Sequence, residues 1–140
     1  MAIEFDPSIV GSEFDRTVLD PVTAEEILEY VAASGEPSPA SGAAPGELVA
    51  PPTFVVRLRG RRFMPANLPN LGRAGFDAGK DIEFGVPIRV GDVLTSVSTV
   101  HDIYEKTGRS GSMAFIVFRT VLTNQRGEQV AVIDQKMMFR

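Results

Sequence analysis

The sequence predicts an α+β fold, an antiparallel sheet that carries its helices on one face. Three observations lead there. Residues 24–34 repeat apolar side chains at helical spacing behind an N-terminal capping motif. The second half of the chain is a succession of β-branched and aromatic runs separated by turn residues. Over 140 residues, 44% hydrophobic and 23% charged, the composition is that of an ordinary globular protein. The length suits one domain spanning 1–140 with a core that needs no metal or disulfide.

The elements follow in order. Ser12 to Val18 is mixed in character and reads as a short strand. Thr23-Ala-Glu-Glu26 is a capping box, in which the Thr23 hydroxyl accepts from the Glu26 amide and Glu26 reaches back. Ala24, Ile27, Leu28 and Val31 then share one helical face, and Gly35 is a natural terminator. Residues 35–52 hold Pro37, Pro39, Pro45, Pro51 and Pro52 with Gly35, Gly42 and Gly46, so this segment is a loop. Its length marks it as a functional loop or a linker. A second helix is expected from Pro51 toward Met64, opened by proline and carrying Phe54, Val55 and Leu58 on a buried face. Gly60 weakens its far end. Residues 65–79 form another connection rich in proline and glycine.

Four strands complete the chain. Ile82 to Val90 is interrupted by Pro87, which favours an edge or a bulge. Gly91-Asp92 marks a turn before Val93 to Tyr104. Thr107-Gly-Arg-Ser-Gly111 is the next turn, followed by the nearly continuous apolar run Ser112 to Thr123. Asn124-Gln-Arg-Gly127 is a hairpin signal, and Glu128 to Phe139 is the last strand. A strand apolar on both faces belongs to a sheet covered on both sides. In a small domain the second cover is often a partner subunit.

Composition removes several function classes. There is no cysteine, so disulfides, thiolate metal sites and cysteine nucleophiles are excluded. One histidine, His101, rules out a multi-histidine metal centre within one chain. A formal charge of −4 does not suit general nucleic-acid binding, which needs a basic face. No apolar run approaches the roughly 20 residues of a membrane span. The opening residues lack the basic and apolar regions of a signal peptide, so a cytoplasmic protein is expected.

The order of elements is joined by three sets of motifs. The first is Tyr30-Val-Ala-Ala-Ser-Gly-Glu-Pro-Ser-Pro-Ala-Ser41. The second is Leu48-Val-Ala-Pro-Pro-Thr-Phe54. The third comprises Asp81-Ile-Glu-Phe-Gly-Val-Pro-Ile-Arg-Val-Gly-Asp92, Tyr104-Glu-Lys-Thr-Gly-Arg-Ser-Gly111 and Thr123-Asn-Gln-Arg-Gly127. Together they resemble the MaoC-like dehydratases and (R)-specific enoyl-CoA hydratases, and in particular their N-terminal, non-catalytic type of domain. The resemblance covers nearly the whole chain. It implies a hot-dog fold, in which an antiparallel sheet wraps a central helix, and pairing of two such domains into a double hot dog.

The resemblance also implies a chemistry and a departure from it. The signature of active members runs Ser/Thr-Gly-Asp-x-Asn-Pro-x-His, and its aspartate and histidine activate the water that adds to an enoyl thioester. Here Glu36 stands at the aspartate position, Ser38 at the asparagine and Ser41 at the histidine. A serine hydroxyl cannot take up a proton near neutral pH as an imidazole can. The implied role is therefore a subunit of a hydratase or 3-hydroxyacyl-thioester dehydratase, which binds the acyl chain and steadies a catalytic partner supplying aspartate and histidine. The end of the chain at Arg140, just after the last strand, fits a separate subunit. The expected ligand is an acyl thioester of coenzyme A or acyl carrier protein, with no metal or redox cofactor.

Several residues are candidates for binding. Arg57, Arg59, Arg61 and Arg62 are the densest basic cluster, and guanidinium groups pair well with phosphate oxygens. A solvated surface explains the same cluster. Pro52, Thr53 and Phe54 open the second helix, where relatives place an oxyanion donor; proline has no N–H, which leaves the amides of Thr53 and Phe54. No Gly-x-Ser-x-Gly elbow surrounds Ser38 or Ser41. His101 reads as a strand residue. Two other functions fit the same residues: a hot-dog thioesterase using Glu36 or Glu47 to activate water, and a homodimer that binds an acyl ligand without chemistry.

Overall fold

The structure is a computed structural model that describes residues 3–36 and 45–140. Among these residues there is one α-helix and a five-stranded antiparallel sheet. β1 (Glu13–Val18), α1 (Ala24–Ser34), β2 (Gly75–Phe84), β3 (Thr95–Gly108), β4 (Gly111–Thr123) and β5 (Gln129–Phe139) follow in chain order. The sheet order is β1-β3-β4-β5-β2, with every neighbouring pair antiparallel. This is the expected α+β architecture.

The capping box of α1 forms in both directions. Thr23 Oγ1 accepts from the Glu26 amide at 3.1 Å, and the Glu26 carboxylate accepts from the Thr23 amide at 3.4 Å. The helix stops where Gly35 turns left-handed, at a φ of 71°, and gives its amide to the Val31 carbonyl. That conformation is costly for any residue with a Cβ.

The second helix is much shorter than expected. Pro52–Arg57 forms a six-residue 3-10 helix, and Leu58 is already extended. The apolar spacing gives out at Leu58, and the chain beyond is held by other bonds. The Arg61 amide donates to Thr17 Oγ1 at 3.2 Å and the Arg62 amide to Asp15 Oδ1 at 3.1 Å. Residues 58–62 are thus tied to β1 and cannot continue a helix.

β2 also departs from the expectation. It begins at Gly75 and ends at Phe84, before Pro87. Gly75, Asp77, Gly79 and Asp81 have poor strand propensity, so the segment reads as a loop. Pairing with β5, from Gly75 opposite Phe139 to Phe84 opposite Ala131, supplies the ladder that propensity does not. The strand lies at the edge of the sheet and is exposed along almost its full length.

The core lies on the helix-bearing face of the sheet and has two centres. One joins Ile27 of α1 with Phe54 and Val55 of the 3-10 helix, and with Leu94, Leu122, Ala131 and Ile133. Full burial of each large side chain stabilises by about 1.5–3 kcal/mol. The other joins Val100, Ile103, Ile116 and Phe118 to Ile9, and is covered by Phe14, Met64, Leu68 and Leu71. The opposite face has no second layer among the described residues. It carries the stacked rings of Tyr104 and Phe115, with centroids 5.0 Å apart.

On that opposite face Arg119 grips Asp134 through two hydrogen bonds of 2.8 Å, linking β4 to β5. The guanidinium bonds hold the Asp134 carboxyl below the usual carboxylate range. A folded value below the unfolded one of about 3.9 means the pair stabilises fully above that pH. The contribution is lost as pH falls through the lower, folded value. Denaturant midpoints measured between pH 7 and pH 2 are therefore expected to fall less steeply in Asp134→Asn than in the parent chain. An unchanged pH slope would show that the pair adds nothing.

Candidate functional site

Three side chains predicted from the sequence converge at the start of the 3-10 helix. Thr53 Oγ1 donates to Glu36 Oε2. Tyr30 Oη and Thr53 Oγ1 lie 2.6 Å apart. A hydroxyl has a single proton to give. Thr53 gives its proton to the carboxylate, so Tyr30 is the donor to Thr53. The Tyr30 ring meets Phe54 edge to face, at 5.5 Å and 86°. The Arg57 guanidinium sits 5.1 Å from the centroid of the same Phe54 ring, and Nη1 donates to the Glu26 carbonyl at 3.2 Å.

This cluster ties the end of α1 to the 52–57 helix. It also commits the carboxylate at the signature's aspartate position to a protein hydroxyl. His101 lies elsewhere, exposed at a β-bulge of β3 between Val100 and Asp102. Ser38 and Ser41 lie outside the described residues. The Phe54 amide is taken by the Pro51 carbonyl at 2.9 Å, so it is not an oxyanion donor. The Thr53 amide has no acceptor among the described residues, as befits the first N–H of a helix.

Thr53→Val tests how much the relay holds. It leaves the Tyr30 hydroxyl and the Glu36 carboxylate without their shared partner, both only half-buried. The expected loss in unfolding free energy is about 1–2 kcal/mol. In Glu36→Gln the added effect of Thr53→Val should shrink, because the charged acceptor is already gone. Full additivity in the double mutant would show that the two residues are not coupled.

A groove opens where the second helix stops. It measures about 170 Å³ and runs across the helix-bearing face of the sheet. Val56, Leu58 and Phe63 form its roof, and Phe14, Phe118 and Ile133 its apolar floor. Ser98, Thr120 and Gln135 complete the floor, between the two core centres. Arg59 and Arg62 stand at its edge, facing Asp77 and Lys80 of β2.

The arginine cluster therefore divides. Arg59 and Arg62 border the groove. Arg57 turns toward α1, and the structure places Arg61 on the exposed surface, outside the groove lining. None of the four forms an ion pair with a described residue. Alternation in an irregular loop has no period that a sequence pattern reveals, so the sequence does not show which of the four arginines border the groove.

The floor residues Ser98, Thr120 and Gln135 escape sequence reading for a related reason. They sit in strands as ordinary polar positions, and only cross-strand register brings them together. Asp15 was missed as well. It is 8% exposed, accepts from Thr17 Oγ1 at 2.8 Å, and fixes the loop that roofs the groove. Among the described residues no group of three or more acidic or histidine side chains is placed to hold a metal ion. No described helix is long and apolar enough to cross a membrane.

The fold and parts of the sequence are shared with known proteins. A family model described as the FAS1-like dehydratase domain region matches residues 8–133. A MaoC-like dehydratase from Rhodospirillum rubrum is 26% identical, with a TM-score of 0.65 over 93% of this chain and 91% of that one. The ChsH1-ChsH2 complex from Mycobacterium tuberculosis contains a chain of the same fold, 19% identical, with a TM-score of 0.68 over 91% and 84% of the two chains. The C-terminally truncated HadBC (3R-hydroxyacyl-ACP dehydratase) complex of the same organism has another, at 22% identity and a TM-score of 0.61 over 91% and 98%. No curated protein matches the chain by sequence.

Proposed function

Because the chain belongs to the family of the FAS1-like dehydratase domain region and has the hot-dog fold of MaoC-like dehydratases, we propose that it is the non-catalytic, acyl-binding subunit of an enoyl-thioester hydratase or 3-hydroxyacyl-thioester dehydratase. The observation that carries this reading is the state of the degenerate signature. Glu36 is bonded to Thr53, and His101 stands apart on β3. Hydration needs a base that takes a proton from water near neutral pH, and a poised imidazole or carboxylate contributes about 10²–10⁴-fold. In the described part of this site the one carboxylate, Glu36, already accepts from Thr53, and the single imidazole, His101, lies on β3.

The groove supports the binding half of the reading. A short 3-10 helix stands where a longer one would cover the sheet, and the space left is lined by Phe14, Leu58, Phe63 and Phe118. A cavity of about 150 Å³ holds an apolar molecule the size of benzene. The groove therefore takes a segment of an acyl chain, and Arg59 and Arg62 at its edge suit the phosphates of its carrier. The thioester is the substrate and no further cofactor is invoked.

A partner completes the proposed enzyme, either a catalytic MaoC-like hot-dog subunit bearing aspartate and histidine or a second copy of this chain. Two features leave room for it. Among the described residues no strand pairs with the outer edge of β2, which leaves that edge open to another strand. The sheet face bearing Tyr104 and Phe115 lacks a second layer among the described residues. The ChsH1-ChsH2 and HadBC structures are themselves complexes of two named components.

Hydration of crotonyl-CoA, followed by loss of enoyl absorbance, tests the proposal. The chain alone should give no rate above background, and co-expression with an Asp/His-bearing MaoC-like subunit should give a co-purifying, active pair. Hydration by the chain alone that Glu36→Ala abolishes would overturn the accessory role.

A further inference from the structure

We infer that the groove selects acyl chains that carry an oxygen along their length, a keto or hydroxyl group, over plain alkyl chains. The inference rests on the acyl-binding reading above and concerns what the groove recognises. The floor is not uniformly apolar. Ser98 of β3 lies opposite Thr120 of β4, and their hydroxyls are 2.8 Å apart. One of them donates to the other. The pair together has two protons and uses one, so one hydroxyl proton remains.

Gln135 of β5 extends the same polar row. Its amide nitrogen donates to Asp77 Oδ1 at 2.8 Å and to the Gly79 carbonyl at 3.2 Å. Those bonds hold the amide nitrogen toward β2, and Gln135 shares the groove floor with the hydroxyl pair. The row crosses an otherwise apolar surface of Phe14, Phe118 and Ile133.

A plain alkyl chain in this groove removes water from Ser98, Thr120 and Gln135 and replaces it with nothing. Burying a polar group without a partner is unfavourable. A ketone oxygen accepts the remaining hydroxyl proton. A ligand hydroxyl oxygen accepts it in the same way. The apolar residues on either side then hold the methylenes flanking the oxygenated carbon. One recovered hydrogen bond corresponds to about a 2- to 10-fold preference.

Titration calorimetry of the full chain with decanoyl-CoA and its 5-oxo, 7-oxo and 9-oxo counterparts tests this. At least one oxo isomer should bind 2- to 10-fold tighter than decanoyl-CoA. Thr120→Val combined with Ser98→Ala, which removes both hydroxyls, should bring that ratio within 2-fold, whereas either substitution alone leaves one hydroxyl proton and should keep a preference. Equal binding of all four ligands, or a preference that survives both substitutions, overturns the oxygen selection while leaving acyl binding intact. Absence of binding by every ligand overturns the acyl-binding reading itself.

Discussion

Phe54→Ala is expected to lower the unfolding free energy by about 3–5 kcal/mol, the cost of removing a buried phenyl ring and leaving a cavity. Phe54 is fully buried, at 0% exposure. Its ring is touched by Tyr30 edge-on and by the Arg57 guanidinium, and it anchors the 52–57 helix to the core centre built on Ile27, Leu94 and Leu122. Domains are stable by only about 5–15 kcal/mol, so the variant stands near the limit of folding. Guanidinium denaturation followed by circular dichroism measures it. Phe84→Ala is the control, since Phe84 is 49% exposed on the edge strand and should cost less than about 1 kcal/mol. A loss below 1 kcal/mol for Phe54→Ala would mean that the 3-10 helix is not anchored in the core.

Gly60→Ala is the second large effect, and it acts through charge. A Cβ at residue 60 would lie 1.8 Å from Asp15 Oδ2 and 2.9 Å from Asp15 Cγ. The Asp15 carboxylate cannot simply swing aside. It is buried, accepts from Thr17 Oγ1 through Oδ2, and accepts from the Arg62 amide through Oδ1. Thr17 in turn accepts from the Arg61 amide. Hydrogen bonds to a charged group contribute roughly 1.5–3 kcal/mol each, so the expected loss is about 2–4 kcal/mol. Gly46→Ala, where a Cβ meets no described residue within 4 Å, should fall within about 0.5 kcal/mol of the parent. In an Asp15→Ala background the Gly60 substitution should become nearly silent, because the atom it strikes is gone. A full additional loss in that background would place the clash elsewhere. The same loop roofs the groove, so acyl-CoA affinity should fall with Gly60→Ala and stay unchanged with Gly46→Ala.

α1 could be read from sequence to the residue, since its stops are local. The Thr23–Glu26 box and Gly35 each act within one helical turn. β4 and β5 were nearly as plain, for their β-branched runs are long and the Asn124–Gly127 turn between them is strong. The expected strand Ile82 to Val90 was displaced because β2 owes its existence to β5, not to its own residues. The expected helix toward Met64 was cut to six residues because amides of Arg61 and Arg62 found partners on β1. Glu36 belongs to one motif and Thr53 and Phe54 to another; that the Thr53 hydroxyl bonds the Glu36 carboxylate is a matter of tertiary geometry.

The order of amino acids carried the α+β class, the helix that begins at Thr23, the hairpin at Asn124 and the loss of histidine from the signature. These rest on spacings of a few residues, where backbone propensity and side-chain chemistry act directly. Strand order, the truncated second helix and the groove are settled by contacts between residues far apart in the chain. Asp15 reaches Arg62, and Ser98 meets Thr120 and lines one floor with Gln135. A strand's register and a loop's tether depend on which distant partner offers the better burial and the more complete set of hydrogen bonds. No local pattern records that competition, and in this chain its outcome opens the groove.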